Sequence, residues 1–247
     1  MDATEIRKLA ALEDTHWWYR ERRVLLGRAL RRLAAAGTRP GRALDIGAAG
    51  GGNTRVLRAH GWRPVALEYS AEGAGVARGR GLDVIRADAR RLPVRSAGLG
   101  LVVAFDILEH VDEDHLAAAE LRRALRPGGT ALITVPADMR LWSAHDAAVG
   151  HVRRYDRAGL RAVVERAGLV VDELWSWNVL LRPVAAWRRR RCTGSDLDEP
   201  HPLVNLGLRT VVAVERHLPV QALPGVSLML RAHRPSDPGT PGPVKID

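Results

Sequence analysis

One stretch constrains the fold of this chain more than any other: Ala43-Leu44-Asp45-Ile46-Gly47-Ala48-Ala49-Gly50-Gly51-Gly52-Asn53-Thr54. An apolar, strand-like run enters a cluster of small residues and leaves as a helix, so the backbone turns tightly and approaches a ligand that side chains would repel. Glu68 follows Asp45 by 23 residues, at the end of the next apolar run. A carboxylate there accepts both hydroxyl hydrogens of a bound ribose. Together these features favour a ligand that carries adenosine. A nicotinamide dinucleotide competes for this reading, but its pyrophosphate favours a regular GxGxxG. Asp45, two positions before the first glycine, suits a cationic group better than a pyrophosphate its charge would oppose.

The surrounding pattern supplies a sheet for this turn. Apolar strand candidates at 43–46, 65–69, 84–86, 101–105 and 130–135 alternate with helical stretches at 54–60, 71–80 and 114–125, after an amphipathic helix at 22–36. The rhythm implies an α/β fold, a mostly parallel sheet with helices on both faces. Pro127-Gly128-Gly129 is expected to stop the helix that begins near Asp114. A helix at 156–167 then leads to a strand within 169–177, and a last strand lies at 226–232. Between these two strands, apolar helical segments at 178–191 and 203–218 flank a polar, acidic loop at 192–202. Pro183 would kink or delimit the first of them.

With 46% apolar residues among 247, the chain has ample material for one large core or two small ones. The net charge of +10 rests almost entirely on arginine, since Lys8 and Lys245 are the only lysines. That surplus does not by itself identify a nucleic-acid binder. Cys192 is the single cysteine, so neither an intrachain disulfide nor a thiolate zinc cluster is possible within the chain. The charged amino-terminal stretch lacks the apolar run of an export signal, and no run approaches the roughly 20 residues that cross a bilayer. A soluble, cytoplasmic protein is expected.

In this order and spacing the chain resembles the class I, seven-stranded S-adenosylmethionine-dependent methyltransferases, especially the small-molecule enzymes with a type 11-like domain. The resemblance spans residues 22–167 and implies a Rossmann-like sheet of order three-two-one-four-five-seven-six, with the seventh strand antiparallel. It implies S-adenosyl-L-methionine as cofactor, with Asp45 near the donor's ammonium group. Asp45, Gly47, Ala49 and Gly51 match the acidic residue and glycine turn, and Ala49 stands where the family often has glycine or cysteine. Glu68, with Tyr69 beside it, looks like the ribose-binding acid. Asp88-Ala89 resembles the adenine-side motif, Asp88 meeting the exocyclic amine. Asp106-Ile107-Leu108-Glu109-His110-Val111 resembles the segment bordering the methionine moiety, which brings in Asp106 and His110. Glu109 is expected to face solvent or to stabilise a helix start. Pro127-Gly128-Gly129 is similar to the turn before strand five.

Two further clusters carry functional side chains: His16-Trp17-Trp18-Tyr19, and Trp142-Ser143-Ala144-His145-Asp146 with His151-Val152-Arg153-Arg154-Tyr155. The second follows the fifth strand, at the edge where open α/β sheets bind ligands, and similar enzymes carry a comparable H-D-x-x-x-G-H-x-R-R-Y stretch. A neutral imidazole near pKa about 6.5 removes the proton of a hydroxyl, phenol or protonated amine at cellular pH. His145 and His151 are the base candidates and Asp146 an orienting carboxylate. Arg153 or Arg154 is expected to hold an acceptor carboxylate or phosphate or else to form a structural ion pair, and Tyr155 to complete the acceptor wall or donate a hydrogen bond. The first cluster is expected to act as an aromatic lid, with Trp18 at the cofactor.

Residues 1–36 are thus read as N-terminal helices with a lid, 37–234 as the methyltransferase domain including a helical insertion at 178–218, and 235–247 as a disordered tail. The insertion extends the core, forms a homodimer face, roofs a hydrophobic acceptor pocket or touches a membrane surface peripherally. No metal is expected, because the nine histidines show no compact ligand spacing along the chain. The preferred activity is O-methylation of a hydrophobic or biosynthetic small molecule. Nitrogen or carbon methylation, a peptide acceptor and a nonenzymatic cofactor-binding module stay open. A nucleic-acid acceptor is not favoured: Arg188, Arg189, Arg190 and Arg191 alone make no recognition surface, and the Asn/Asp-Pro-Pro-Tyr and catalytic-cysteine signatures are missing.

Overall fold

The computed structural model describes residues 10–191 and 200–236. Cys192, most of the acidic loop and the tail beyond 236 lie outside the described residues. Seven strands form one sheet: β1 (Arg42–Ile46), β2 (Arg63–Glu68), β3 (Val84–Arg86), β4 (Leu99–Phe105), β5 (Leu125–Pro136), β6 (Val170–Trp177) and β7 (Ser227–His233). Their order is β3-β2-β1-β4-β5-β7-β6, and β7 runs antiparallel to both of its neighbours. The expected fold and strand order are both present.

Eight α-helices are described: α1 (Trp17–Ala35), α2 (Gly52–Ala59), α3 (Ala71–Gly79), α4 (Asp114–Ala124), α5 (Ala144–Ala148), α6 (Arg157–Arg166), α7 (Arg182–Arg189) and α8 (Pro202–Glu215). None is long and apolar enough to cross a membrane. The alternation of side chains along each strand divides the core in two. Leu44, Ile46, Val102, Ala104 and Ile133 pack with Leu121 of α4 and Leu160 of α6. Ala43, Leu101, Val103, Phe105 and Leu132 pack with Leu57 of α2 and with Leu26, Ala29, Leu30 and Leu33 of α1. That last set repeats at intervals of three and four, which gives α1 a single apolar stripe. All seven residues of β4 are buried, as a strand covered on both faces requires.

Local chemistry moves several boundaries. The first helix begins at Trp17 rather than near Arg22, because His16 caps it: its Nδ1 accepts the Trp18 amide at 3.3 Å. The aromatic cluster is therefore the first turn of α1. Helix α4 ends at Ala124, before Pro127-Gly128-Gly129, and Leu125 already pairs with Leu99. Those three residues lie inside β5, where the ladder slips its register and Gly128 takes φ +72°. The segment at 178–191 is helical only from Arg182, since Asn178 takes φ +59° and Pro183 opens α7 instead of kinking it. Helix α8 docks on α1, where Asn205 Oδ1 accepts the Trp17 amide at 2.9 Å and Arg216 pairs with Glu21 at 3.3 Å.

The turn between β1 and α2 is built as the glycines suggest. A Cβ on Gly47 would meet Ile107 Cδ1 at 2.0 Å, and one on Gly51 would meet Leu82 Cδ1 at 1.9 Å; both glycines have positive φ. Ala49 also takes a left-handed conformation, at φ +43°, which costs an L-residue about 1–2 kcal/mol. Gly51→Ala is expected to lower stability by about 2 kcal/mol or more. Ala49→Gly is expected to be neutral or stabilising by up to about 1 kcal/mol. Urea unfolding of the two variants checks both signs.

Candidate functional site

A cavity of about 1150 Å³ opens at the carboxyl ends of β1, β2 and β4. Its size admits an adenosine-bearing molecule together with a second small one. Gly47, Ala49, Glu68, Tyr69, Asp88, Ala89 and Asp106 line one end, and Glu109, His110, His145, His151 and Arg154 line the other. Trp17, Trp18, Tyr19 and Arg22 of α1 line it too, with Leu181, Val184, Ala185 and Arg188 at α7 and Leu208 of α8. Asp45, Gly51, Asp146 and Tyr155 stand behind this surface.

At the first end, backbone amides fix the Glu68 carboxylate. Oε1 accepts from Tyr69 at 2.9 Å and Ser70 at 3.2 Å, and Oε2 accepts from Ala49 at 3.1 Å. These contacts tie the end of β2 to the glycine turn and hold the carboxylate at the cavity wall. Asp45 is fully buried and accepts the Thr54 hydroxyl at 2.6 Å, while Oδ1 has no donor among the described residues. Burial raises its pKa to about 7 despite the Thr54 hydrogen bond. The Arg90 guanidinium grips Asp88 at 2.7 Å and holds its carboxyl below the usual range. An adenine amine would have to share that carboxylate. Asp106, at φ +56°, accepts Arg22 Nη1 at 2.7 Å and Thr134 Oγ1 at 2.9 Å.

The other end is assembled by α5 and the loop that follows it. Ser143 and Asp146 form a capping box, which turns the buried Asp146 carboxylate back toward the loop. His151 returns its backbone amide to Asp146 O at 2.8 Å, and Val152 donates to Glu109 O at 2.8 Å. The Asp146 carboxylate accepts His151 Nδ1 at 2.8 Å, Arg154 Nε at 2.9 Å and Arg189 Nη1 at 3.1 Å. Burial works to raise its pKa, but the His151 hydrogen bond and the Arg189 charge outweigh burial and leave it lowered.

Because Asp146 accepts at Nδ1, the neutral His151 ring carries its lone pair on Nε2, 3.8 Å from Glu109 Oε1. The His110 ring lies edge-on to His151 at 4.7 Å, and its Nδ1 donates to Gly150 O at 3.0 Å. His145 lies 6.3 Å from His151, ring to ring.

The structure redistributes several expected roles. Arg154 is a positioning residue rather than an acceptor clamp, since its buried guanidinium is engaged by Asp146 and by Ala137 O at 2.9 Å. Arg153 pairs with Asp114 at 2.7 Å and Asp112 O at 2.7 Å and does not itself line the cavity. Tyr155 belongs to the core and not to the acceptor wall. Its hydroxyl donates to Asp114 Oδ2 at 2.7 Å, and burial raises its pKa. Glu109 does not face solvent: it is fully buried, and burial followed by Asp106 raises its pKa well above the usual range. His16, capping α1, has its pKa lowered to about 4 by burial and by Arg188. Trp18 packs on Trp177 with ring centres 4.4 Å apart.

Sequence reasoning missed Arg22, Glu13 and Arg189. Arg22 sits four residues after Trp18 on one face of α1, the only signal that could have marked it. Glu13 Oε1 accepts the Gly52 amide at 2.8 Å and so serves the start of α2. Arg189 is one of four adjacent arginines, and the chain offers no sign of which one turns inward.

Residues 17–174 match the family model described as a methyltransferase domain. A protein of Mycolicibacterium smegmatis named as an S-adenosylmethionine-dependent methyltransferase is 25% identical over 171 residues, 68% of this chain and 65% of its own length. One from Mycobacterium tuberculosis is 23% identical over 168 residues, 66% of this chain and 60% of its own. The chain thus spans less than two-thirds of these curated relatives. Among solved structures, a chain from the complex of the Haloferax volcanii Trm112 methyltransferase activator with a methyltransferase superposes with a TM-score of 0.61 at 22% identity, covering 95% of both chains. An S-adenosylmethionine-dependent methyltransferase from Mesorhizobium loti gives 0.58 at 17% identity, covering 84% of this chain and 96% of its own. At these identities the likeness is one of fold.

The raised pKa of Asp45 sets a direction for stability. Between about pH 4 and pH 7 the folded chain keeps a proton that the unfolded chain has lost, so stability falls as pH rises through that window. Asp45→Asn keeps an acceptor for Thr54 and removes the charge. The variant is expected to gain about 1–3 kcal/mol over the parent at pH 8 and nothing near pH 4. Urea unfolding at the two pH values measures this, and equal differences at both would show that Asp45 stays ionised.

Proposed function

Because the chain belongs to the methyltransferase-domain family, we propose that it transfers the methyl group of S-adenosyl-L-methionine to an oxygen of a small, partly hydrophobic acceptor. The observation that carries this reading is the continuity of one cavity from the glycine turn and Glu68 to the imidazoles His110, His145 and His151. In this reading Gly47 and Ala49 let the donor approach the backbone, Glu68 accepts its ribose hydroxyls, and Asp88 and Ala89 border its adenine. Asp106 and Arg22 face the methionine end. Asp45 stands behind the turn, where a donor ammonium nearby offsets the burial that raises its pKa and favours its charged form.

Methyl transfer requires an acceptor atom in line behind the methyl carbon, opposite the sulfonium, in a space that excludes water. The aromatic first turn of α1 and the apolar residues of α7 and α8 provide that cover, which also suits a hydrophobic acceptor. One of two imidazoles, His145 and His151, takes the hydroxyl proton as the oxygen attacks. The carbon–sulfur bond breaks, and the sulfur keeps the electron pair as S-adenosylhomocysteine.

The experiment separates the two ends of the cavity. Glu68→Ala is expected to weaken S-adenosylhomocysteine binding about 10- to 100-fold by calorimetry. His145→Ala or His151→Ala is expected to lower turnover about 100- to 10,000-fold with donor affinity preserved. Normal turnover in both histidine variants would overturn the base assignment. Donor binding with no methylated product across an acceptor panel would make the chain a binding module, and a methylated nitrogen or carbon would correct the acceptor atom.

A further inference from the structure

The histidine end of the cavity contains a feature that methyl transfer does not require. Glu109, His110 and His151 each offer a ligand atom within 4.8 Å of the others, the one such group of three or more metal-capable side chains among the described residues. We propose that these residues bind a divalent transition-metal ion through a Glu109 carboxylate oxygen and Nε2 of both histidines.

Three observations converge on this site. Each imidazole has its Nδ1 hydrogen committed, His151 to Asp146 and His110 to Gly150 O, so each turns an Nε2 lone pair away from its own partner. Metal-bound histidines are ordinarily oriented in this way by a carboxylate or a carbonyl on the far nitrogen. The Glu109 carboxylate is completely buried, and neither oxygen has a hydrogen-bond partner. A buried carboxyl group in a folded protein ordinarily finds one, and a cation between Glu109 and His151 would supply it as the Glu109 proton is released to solvent. The orienting shell is also rigid, because Arg154, Arg189 and Ser143 all hold the Asp146 carboxylate that aims His151.

The donor set selects the class of ion. Two imidazoles and one carboxylate suit zinc and its first-row neighbours, whereas magnesium and calcium prefer oxygen alone. Around an ion about 2.0–2.1 Å from each ligand, the three atoms would sit roughly 3.3 Å apart. His151 Nε2 and Glu109 Oε1 are 3.8 Å apart and all three ligand atoms lie within 4.8 Å of one another, so the ion draws the side chains together by up to about 1.5 Å. All three residues line the cavity, so the remaining coordination position faces the acceptor. An acceptor hydroxyl bound there loses its proton more readily, as metal-bound water does. This consequence, which rests on the methyl-transfer reading, assigns His151 to the ion and leaves His145 to take the proton. The oxygen then attacks the methyl carbon while the sulfur departs with its electrons.

The test uses the full chain without an affinity tag, stripped by chelator, with zinc and cobalt(II) as probes and no donor or acceptor present. One equivalent of zinc per chain is expected by calorimetry, and cobalt(II) should develop the visible absorption of a low-coordinate site. Glu109→Gln and His110→Ala should each weaken zinc binding at least about 10-fold while keeping the circular dichroism of the parent. Where a variant misfolds, zinc-dependent elevation of the parent's melting temperature, reversed by chelator, provides the readout. Absence of zinc binding, or binding that both folded variants retain in full, overturns the site. With S-adenosylhomocysteine titrated into the same chain in a separate experiment, zinc binding without donor binding would leave the site standing and remove the methyl-transfer reading. Donor binding without zinc binding would do the reverse.

Discussion

Donors from Ser143, His151, Arg154 and Arg189 converge on the buried carboxylate of Asp146, and the histidine end of the cavity depends on that convergence. A carboxylate out of water is costly, and truncating one partner of a buried ion pair leaves an uncompensated charge worth about 3–5 kcal/mol. Here two guanidinium groups neutralise it, so its hydrogen bond to His151 orients the ring and leaves Nε2 presented. The same contacts join three parts of the chain: the loop after α5, the strand-like return at Arg154, and α7 through Arg189. The late helical insertion is thereby tied to the site as well as to the sheet.

The opposite end depends on backbone conformation rather than on charge. Gly47 and Gly51 admit Ile107 and Leu82 where a Cβ would collide, so the turn packs against the segment after β4 and the connection between α3 and β3. Glu68 then clamps the turn by accepting the Ala49 amide. Helix α1 closes the arrangement from above. Its apolar stripe lies on the sheet, and its first turn, capped by His16, places Trp18 against Trp177 and Arg22 against Asp106. One helix thus provides both core packing and part of the cavity lining.

Much of the fold was legible because its signals are local. The alternation of apolar runs with amphipathic helices located all seven strands, and small residues marked the first turn. Boundaries shifted where a single side chain or proline decided them, as at His16 and Pro183. At the glycine-turn end, Glu68 and Asp106 line the cavity, and Asp88 is already occupied by Arg90. The histidine end was read less well. Arg154 and Tyr155 carried a pattern that pointed to an acceptor, but in the fold both serve buried carboxylates, Asp146 and Asp114. Glu109 was expected in solvent or at a helix start, because its place in the chain says nothing of what packs over it.

The sequence by itself determined the strands, the glycine turn and the acid that ends β2, since these follow from periodicity, backbone sterics and spacing along a few tens of residues, while the order of the sheet was implied by the resemblance to a known family. Only the tertiary structure decided which charged groups meet. It brought His151 beside Glu109 and His110, selected Arg189 from four adjacent arginines, and carried Arg22 to Asp106 across 84 residues. Such pairings depend on how the loops beyond β4 and β5 and the helices α1 and α7 converge over the end of the sheet. Burial then changes the chemistry of each group, because a carboxylate or imidazole removed from water takes its properties from its neighbours.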